Sequence, residues 1–255
     1  MRTVVVGASS GLGRCIGVGL GRRGMHVALL ARRRDLLQTA AAEAGPDALA
    51  IECDITESDS VASAIGKATA ELGGIDAVVY TPAIGPLKRL VDTDAETWRK
   101  VFDTNVIGAA VVTTAAIPHL TESHGIALYL SSVSASQTPP WPGLGAYGVS
   151  KAALDKMIEA WRVEHPEIGF TRCIVGDCFG GEGDAMTQFP MASGWDFDLL
   201  NELHPVWEAR GLLAGCFIDA EDLVNAVDAV LRTGSSVATP SITLAPRPPA
   251  SGDTQ

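Results

Sequence analysis

The first stretch of the chain constrains its fold more than any other. Thr3–Val6 is a short β-branched run, Gly7-Ala8-Ser9-Ser10-Gly11-Leu12-Gly13 follows, and a helical pattern continues through Ile16 and Leu20 to Arg23. In a strand, glycine-rich turn and helix, the glycines permit a tight turn, close backbone approach to a phosphate, and close helix–strand packing. The helix N-terminus then presents unpaired N–H groups to a pyrophosphate. Glycines alone would make an ordinary loop; the flanking strand and helix favour a dinucleotide cradle. The spacing is G-x-x-x-G-x-G rather than G-x-G-x-x-G.

Strand and helix patterns alternate along the rest of the chain, as a parallel sheet with helical crossovers requires. Strands are expected at His26–Leu30, Ala48–Cys53, Ile75–Tyr80, Ile126–Leu130, Phe170–Val175 and Ser241–Leu244. Helices are expected at Leu36–Ala44, from Thr56–Ser60 to Leu72, at Ala95–Ile117, Ala146–Val163 and Asp219–Leu231. Residues 178–217 read as irregular, and Met186, Phe189, Met191, Trp195 and Trp207 there suit a mobile lid, a substrate pocket or an oligomer contact. No linker divides the chain: residues 1–245 read as one domain and 246–255 as a frayed, Pro-rich tail.

The second strand ends at Ala31 and runs into Arg32-Arg33-Arg34. In dinucleotide folds an acidic residue near this point selects a ribose 2′-hydroxyl, whereas Arg accommodates a 2′-phosphate. NADP(H) is therefore expected over NAD(H), with Arg32 on the phosphate and Arg33 or Arg14 in support. Asp54 ends the third strand, where its carboxylate suits an adenine amino group, a helix cap, or both.

Tyr147-Gly148-Val149-Ser150-Lys151 opens a helical run, so Tyr147 and Lys151 project from one face. A phenol titrates near pH 10, and a nearby ammonium favours the phenolate and brings that pKa toward the working range. Ser131-Ser132-Val133-Ser134 lies at the carboxyl end of a sheet strand, where α/β proteins place binding groups. Asn105 falls inside a helix, where its amide competes for backbone hydrogen bonds. It fits a bound water, a kinked helix or a satisfied core amide.

Composition narrows the function classes. A formal net charge of −11 argues against a nucleic-acid surface. No uncharged apolar run of about 18 residues suggests a membrane span, and an N-terminus that reads as strand leaves no stretch resembling a signal peptide. Five cysteines without a C-x-x-C pair suit a reducing, cytoplasmic setting, and scattered histidines offer no metal motif.

Together, Gly7-x-x-x-Gly11-x-Gly13, Asp54, Asn105, Ser132 and Tyr147-x-x-x-Lys151, in that order, resemble the short-chain dehydrogenase/reductase family over nearly the whole chain. The resemblance implies a Rossmann-type α/β fold: a doubly wound, seven-stranded parallel sheet with helices on both faces, assembled as a homodimer or homotetramer. It implies NADP(H) contacts at Gly7, Ser9, Ser10, Gly11, Leu12, Gly13, Arg32, Arg33, Asp54 and Ile55, as well as at Tyr147 and Lys151. Tyr147 would be the acid/base toward a carbonyl or alcohol substrate, and Lys151 would lower its pKa and bind the nicotinamide ribose. Ser132 would orient the substrate oxygen, with Ser134 a rival by spacing, and Asn105 would support a relay water. Two segments depart from the family pattern: Tyr80-Thr81-Pro82-Ala83 replaces Asn-Asn-Ala-Gly, and Asp177-Cys178 replaces Pro-Gly. The second leaves the carboxamide contact open, with Thr187 a weak candidate. The leading expectation is an NADPH-dependent reductase of an apolar ketone or aldehyde; the alternative is a catalytically silent cofactor-binding regulator or scaffold of the same fold.

Overall fold

The structure, a computed structural model, describes residues 1–180 and 190–247. Met186, Thr187, Phe189 and the tail from residue 248 lie outside the described residues. Seven strands, β1 (Arg2–Val6), β2 (His26–Ala31), β3 (Leu49–Glu52), β4 (Ala77–Tyr80), β5 (Ile126–Ser132), β6 (Gly169–Val175) and β7 (Ser241–Leu244), form one sheet in the order β3-β2-β1-β4-β5-β6-β7. Every pairing is parallel. Chain order reverses direction between β1 and β4, which makes their carboxyl ends the switch-point crevice where such sheets bind ligands.

Helices cover both faces, and the two-residue strand period decides which side chain meets which helix. Val5, Leu29, Val79 and Leu128 point to one face. There they pack with Ile16 and Leu20 of α1 (Gly11–Arg22), Leu37 of α2 (Arg34–Ala44) and Val224 and Val227 near the C-terminus. Val4, Val6, Leu30, Val78 and Ala127 point to the other. Their partners include Ile65 of α3 (Ser58–Leu72), Val112 and Ala116 of α5 (Gly108–Ser123), and Leu154 and Ile158 of α6 (Gly145–Glu164). Burial on both faces explains why these strands read as continuous apolar runs rather than alternating ones.

Ahead of α5 lies α4 (Ala95–Phe102), and between them Asp103–Ile107 widens into a π-type turn centred on fully buried Asn105. The stretch from Ala95 to Ser123 is long and apolar enough to cross a membrane by length and composition. Here its Ala109, Val112, Ala116 and Leu120 form part of the core.

The segment read as irregular contains a helix, α7 (Phe197–Ala209), before the final helix α8 (Ala220–Leu231). Asp196 caps α7 by accepting the N–H groups of Asp198 and Leu199 at 2.9 and 3.3 Å, and Leu203 and Trp207 are its buried stripe. Pro205 lies inside α7; as a residue that normally breaks helices, it hides the pattern in sequence. With Leu87, Leu144 and Leu212, Leu203 and Trp207 form a third apolar cluster.

The glycine turn is the tightest point of the fold. Gly7 takes φ +84°, and a Cβ built on Gly13 would meet Thr81 Oγ1 at 2.3 Å and the Gly7 carbonyl oxygen at 2.4 Å. Thr81 sits in the substituted Asn-Asn-Ala-Gly position, and its hydroxyl donates to Val6 O at 2.6 Å. Its side chain thus ties β4 to the turn after β1. Gly13→Ala is expected to lower stability by about 1–3 kcal/mol through overpacking. Adding Thr81→Ala should recover only part of this loss, because the Gly7 carbonyl remains in the way. Urea midpoints check both; full recovery in the double variant would show that the side chain alone sets the constraint.

Candidate active site

A single cavity of about 1310 Å³ runs along the carboxyl ends of the strands, lined by the glycine turn, Arg32, Arg33, Asp54, Ile55, Ser132, Ser134, Tyr147 and Lys151. That exceeds the usual volume of a small-ligand pocket and gives room for an extended dinucleotide with a second molecule beside it.

At the β1–β3 end, the turn residues Gly7 to Gly13 bring α1 up to the cavity. Arg33 donates to Ser9 Oγ at 3.0 Å through Nη2 and at 3.3 Å through Nε, and also to Ser10 Oγ. Its guanidinium therefore spans the turn, while Arg32 is exposed beside it. Arg14, the other supporting residue expected, is held by Glu43 at 2.5 Å and does not line the cavity. Asp54 accepts from Thr56 N at 3.0 Å and Thr56 Oγ1 at 2.7 Å. These bonds, with weaker help from Arg32, hold its carboxyl below the usual range. The carboxylate closes a local turn ahead of α3 rather than capping it: the helix N-cap is Glu57.

At the β4–β6 end, α6 and β5 carry the reactive groups. Ser132 is the last residue of β5, Tyr147 lies in the first turn of α6, both line the cavity, and the Ser132 side chain acts on the phenol to favour its ionised form. Ser134 instead bonds Ser132, Oγ to Oγ at 2.9 Å, and its N–H donates to Ser132 Oγ at 3.2 Å. Of the two serines, Ser132 is the one whose side chain acts on the Tyr147 phenol, and Ser134 positions it.

Lys151 is buried, with Nζ donating to Leu130 O at 2.6 Å and lying 5.8 Å from the Tyr147 ring centroid. Burial pulls its pKa down to about 8, against an opposing pull from Asp155 one turn along α6. The Tyr147 phenol is raised above its usual range: burial outweighs the opposing influence of Ser132. The ammonium is itself desolvated and committed to the Leu130 carbonyl, so Tyr147 rests as a protonated donor.

Asn105 reaches the site through structure. Its Oδ1 accepts from Ile84 N at 2.8 Å, and its Nδ2 donates to Ile84 O at 2.9 Å and to Ser150 Oγ at 2.8 Å. Ser150 Oγ donates in turn to Tyr147 O at 2.7 Å. Both amide hydrogens are spent, so the side chain braces the 84 loop and the first turn of α6. The relay water expected at Asn105 has no donor left on that amide.

Beyond the phenol, Trp141, Leu144, Met191, Trp195, Leu200 and Trp207 make an apolar end, with His204 and Glu208 at its margin. Trp195 Nε1 donates to Gly85 O at 2.7 Å and Trp207 Nε1 to Pro142 O at 2.9 Å, so both rings are fixed in orientation. Sequence reasoning missed His204, whose place depends on α7. It also missed Gly180, where a Cβ would meet Leu12 N at 2.7 Å and which therefore lies against the glycine turn.

Residues 2–175 match the model of the short chain dehydrogenase family. An uncharacterized oxidoreductase of Myxococcus xanthus is 34% identical over 213 residues, 82% of this chain and 81% of its own. Two solved structures share the fold. One is an alcohol dehydrogenase from Thermococcus sibiricus complexed with 5-hydroxy-NADP, with a TM-score of 0.78, 22% identity, and coverage of 95% of this chain and 94% of the other. The other is a 3-ketoacyl-(acyl-carrier-protein) reductase from Brucella melitensis complexed with NADH, with a TM-score of 0.79, 20% identity, and coverage of 95% of each chain. With a matching family model over most of its length and the same seven-stranded sheet, this chain belongs to the short-chain dehydrogenase/reductase family and is an oxidoreductase of that kind.

Proposed function

We propose that the chain is an NADPH-dependent reductase of ketones or aldehydes, reversible toward alcohols, acting in the cytoplasm. The observation that carries this reading is the meeting of Ser132, Tyr147 and buried Lys151 in one cavity with the glycine turn and Arg33. The residues fit the cofactor. Gly13 has no room for a side chain, as a turn that approaches a pyrophosphate requires, and Arg32 and Arg33 offer guanidinium groups beside Ser9 and Ser10 for a 2′-phosphate. The nicotinamide would supply hydride, and the protein supplies orientation and the proton.

In this reading a substrate carbonyl oxygen sits between Ser132 Oγ and Tyr147 Oη. Ser132 donates a hydrogen bond to that oxygen, and Tyr147 delivers its proton as negative charge develops there. The ammonium of Lys151 then steadies the phenolate left behind, a charge that burial alone would disfavour. Asn105 and Ser150 keep the first turn of α6 in register with the loop at Ile84. The tryptophan-lined end suits a bulky apolar substituent on the carbonyl. A second copy of the chain is the proposed macromolecular partner, and Ile107 and Val149, 50% and 49% exposed, suit a dimer or tetramer contact.

Tyr147→Phe is expected to lower turnover at least about 10³-fold while leaving cofactor affinity nearly unchanged; a broad carbonyl panel read by NADPH absorbance checks it. Absence of turnover by the unaltered protein across the panel would favour a silent cofactor-binding scaffold. Arg32→Ala and Arg33→Ala should each weaken NADPH binding about tenfold with less effect on NADH, by loss of a charge-assisted phosphate contact. Tighter NADH than NADPH binding by the unaltered protein would reverse the cofactor assignment.

Lys151 also makes a pH prediction. Its pKa falls from 10.5 to about 8 on folding, so the unfolded chain holds a proton that the folded one releases across that window. Stability from this group therefore rises with pH from about 8 to about 10.5, by up to ~3 kcal/mol. The stability of Lys151→Met relative to the unaltered protein should decline by a similar amount over the same range. Parallel urea midpoints for the two proteins would contradict it.

A further inference from the structure

Asp177 stands where the family pattern has proline, two residues beyond β6. Val175, the last residue of β6, is paired with Ser132 in the parallel register, so Asp177 leaves the sheet at the same edge as the Ser132–Tyr147 pair. It lines the common cavity. The segment is held there from the far side: Ile218 N–H donates to Asp177 O at 2.8 Å, Ala214 N–H to Asp177 Oδ2 at 3.4 Å, and Cys178 forms a bridge with Ile218.

Three carboxylates line the cavity among the described residues: Asp54, Asp177 and Glu208. Asp54 belongs to the β3 end and is bound up with Thr56. Glu208 lies on α7, its Oε1 3.9 Å from His204 Nδ1. That leaves Asp177 at the carboxyl end of β6, across the switch point from the glycine turn and Arg33. A dinucleotide whose phosphates sit on the glycine turn extends its other half toward this edge. Lys151, the buried cation of the same end, is anchored on the β5 side by Leu130 O. Burial raises the Asp177 carboxyl above its usual range. Its charge is thus poorly screened and sensitive to a neighbouring cation.

We propose that Asp177 is a selector of cofactor redox state: its carboxylate favours the cationic oxidised nicotinamide over the neutral reduced ring. The inference rests on the reductase reading above. In that reaction the carbonyl carbon gains the hydride, Tyr147 Oη gives the proton to the carbonyl oxygen, and positive charge is left on the ring. A carboxylate lining the cavity beside that charge would stabilise the transition state for hydride donation. Asp177 is therefore a residue that sets the direction in which the site is strongest, a role that proline at this position cannot fill.

Cofactor titration of the full chain tests this without substrate. Dissociation constants for NADPH and NADP⁺ are measured by fluorescence and calorimetry on the unaltered protein, Asp177→Asn and Asp177→Glu. Asparagine keeps an acceptor for Ala214 N–H, and thermal unfolding verifies that each variant is folded. The expected result is that Asp177→Asn weakens NADP⁺ relative to NADPH by on the order of tenfold, the scale of one charge pair in a partly shielded site. Asp177→Glu should keep most of the preference. Equal weakening of both forms, or no change in either, overturns the charge assignment. Failure of the unaltered protein to bind either cofactor overturns the reductase reading and this inference with it.

Discussion

The burial of one ammonium group governs how this site is built. Lys151 has almost no water, and an isolated charge in that position would be lost by deprotonation. Its direct partner is the carbonyl of Leu130, near the end of β5, which locks the rotation of α6 to a particular residue of the sheet. The same helix carries Tyr147 one turn earlier and Asp155 one turn later, so fixing Lys151 also fixes the phenol. Behind it, Arg172 on β6 lies 3.7 Å from Asp155 Oδ2 and 3.3 Å from Glu159 Oε1. The cation near the phenol is thus the inner end of a row of alternating charges that reaches the surface. Burial shifts Lys151 and Tyr147 toward their neutral forms, and each is kept useful by one polar neighbour. Leu130 O holds the ammonium, and Ser132 opposes the rise of the phenol.

Much of this was legible in the sequence because the period of a strand or helix is local. Val4-Val5-Val6 and Val78-Val79-Tyr80 announce strands buried on both faces, and the glycine turn announces its own position. Asn105 was legible as an anomaly, and the structure supplies its cause in the π-type turn and the Ile84 and Ser150 contacts. What was hidden depends on contacts between segments distant in sequence. Helix α7 combines an N-cap at Asp196 with apolar positions at Leu199, Leu200, Leu203 and Trp207, but Pro205 breaks the pattern locally. Its burial is provided by Leu87 and Leu144. Arg33 rather than Arg32 bonds the turn hydroxyls because α2 begins at Arg34 and directs its preceding residue back over Ser9 and Ser10. No propensity distinguishes the two arginines. Likewise the sign of the Tyr147 shift follows from how deeply the ring is buried, which the Tyr-x-x-x-Lys spacing does not encode.

The two departures from the family pattern solve different problems. At Thr81 the replacement is structural: a hydroxyl bonds Val6 O and its bulk presses on Gly7 and Gly13. The hydroxyl joins β4 to the end of β1 without bringing any charge to the site. At Asp177 a proline, which has no side-chain polar group and no N–H, gives way to a carboxylate. The backbone there is still pinned by Ile218, so the main-chain path does not need the change, while the charge of the site does change. A carboxylate half-buried at a cavity wall is disfavoured unless a cation or donor meets it. The Ala214 N–H, at 3.4 Å, is a long and weak answer to that demand. Asp177 lines the cavity, so a group that becomes positive there during the reaction would meet the rest of that demand.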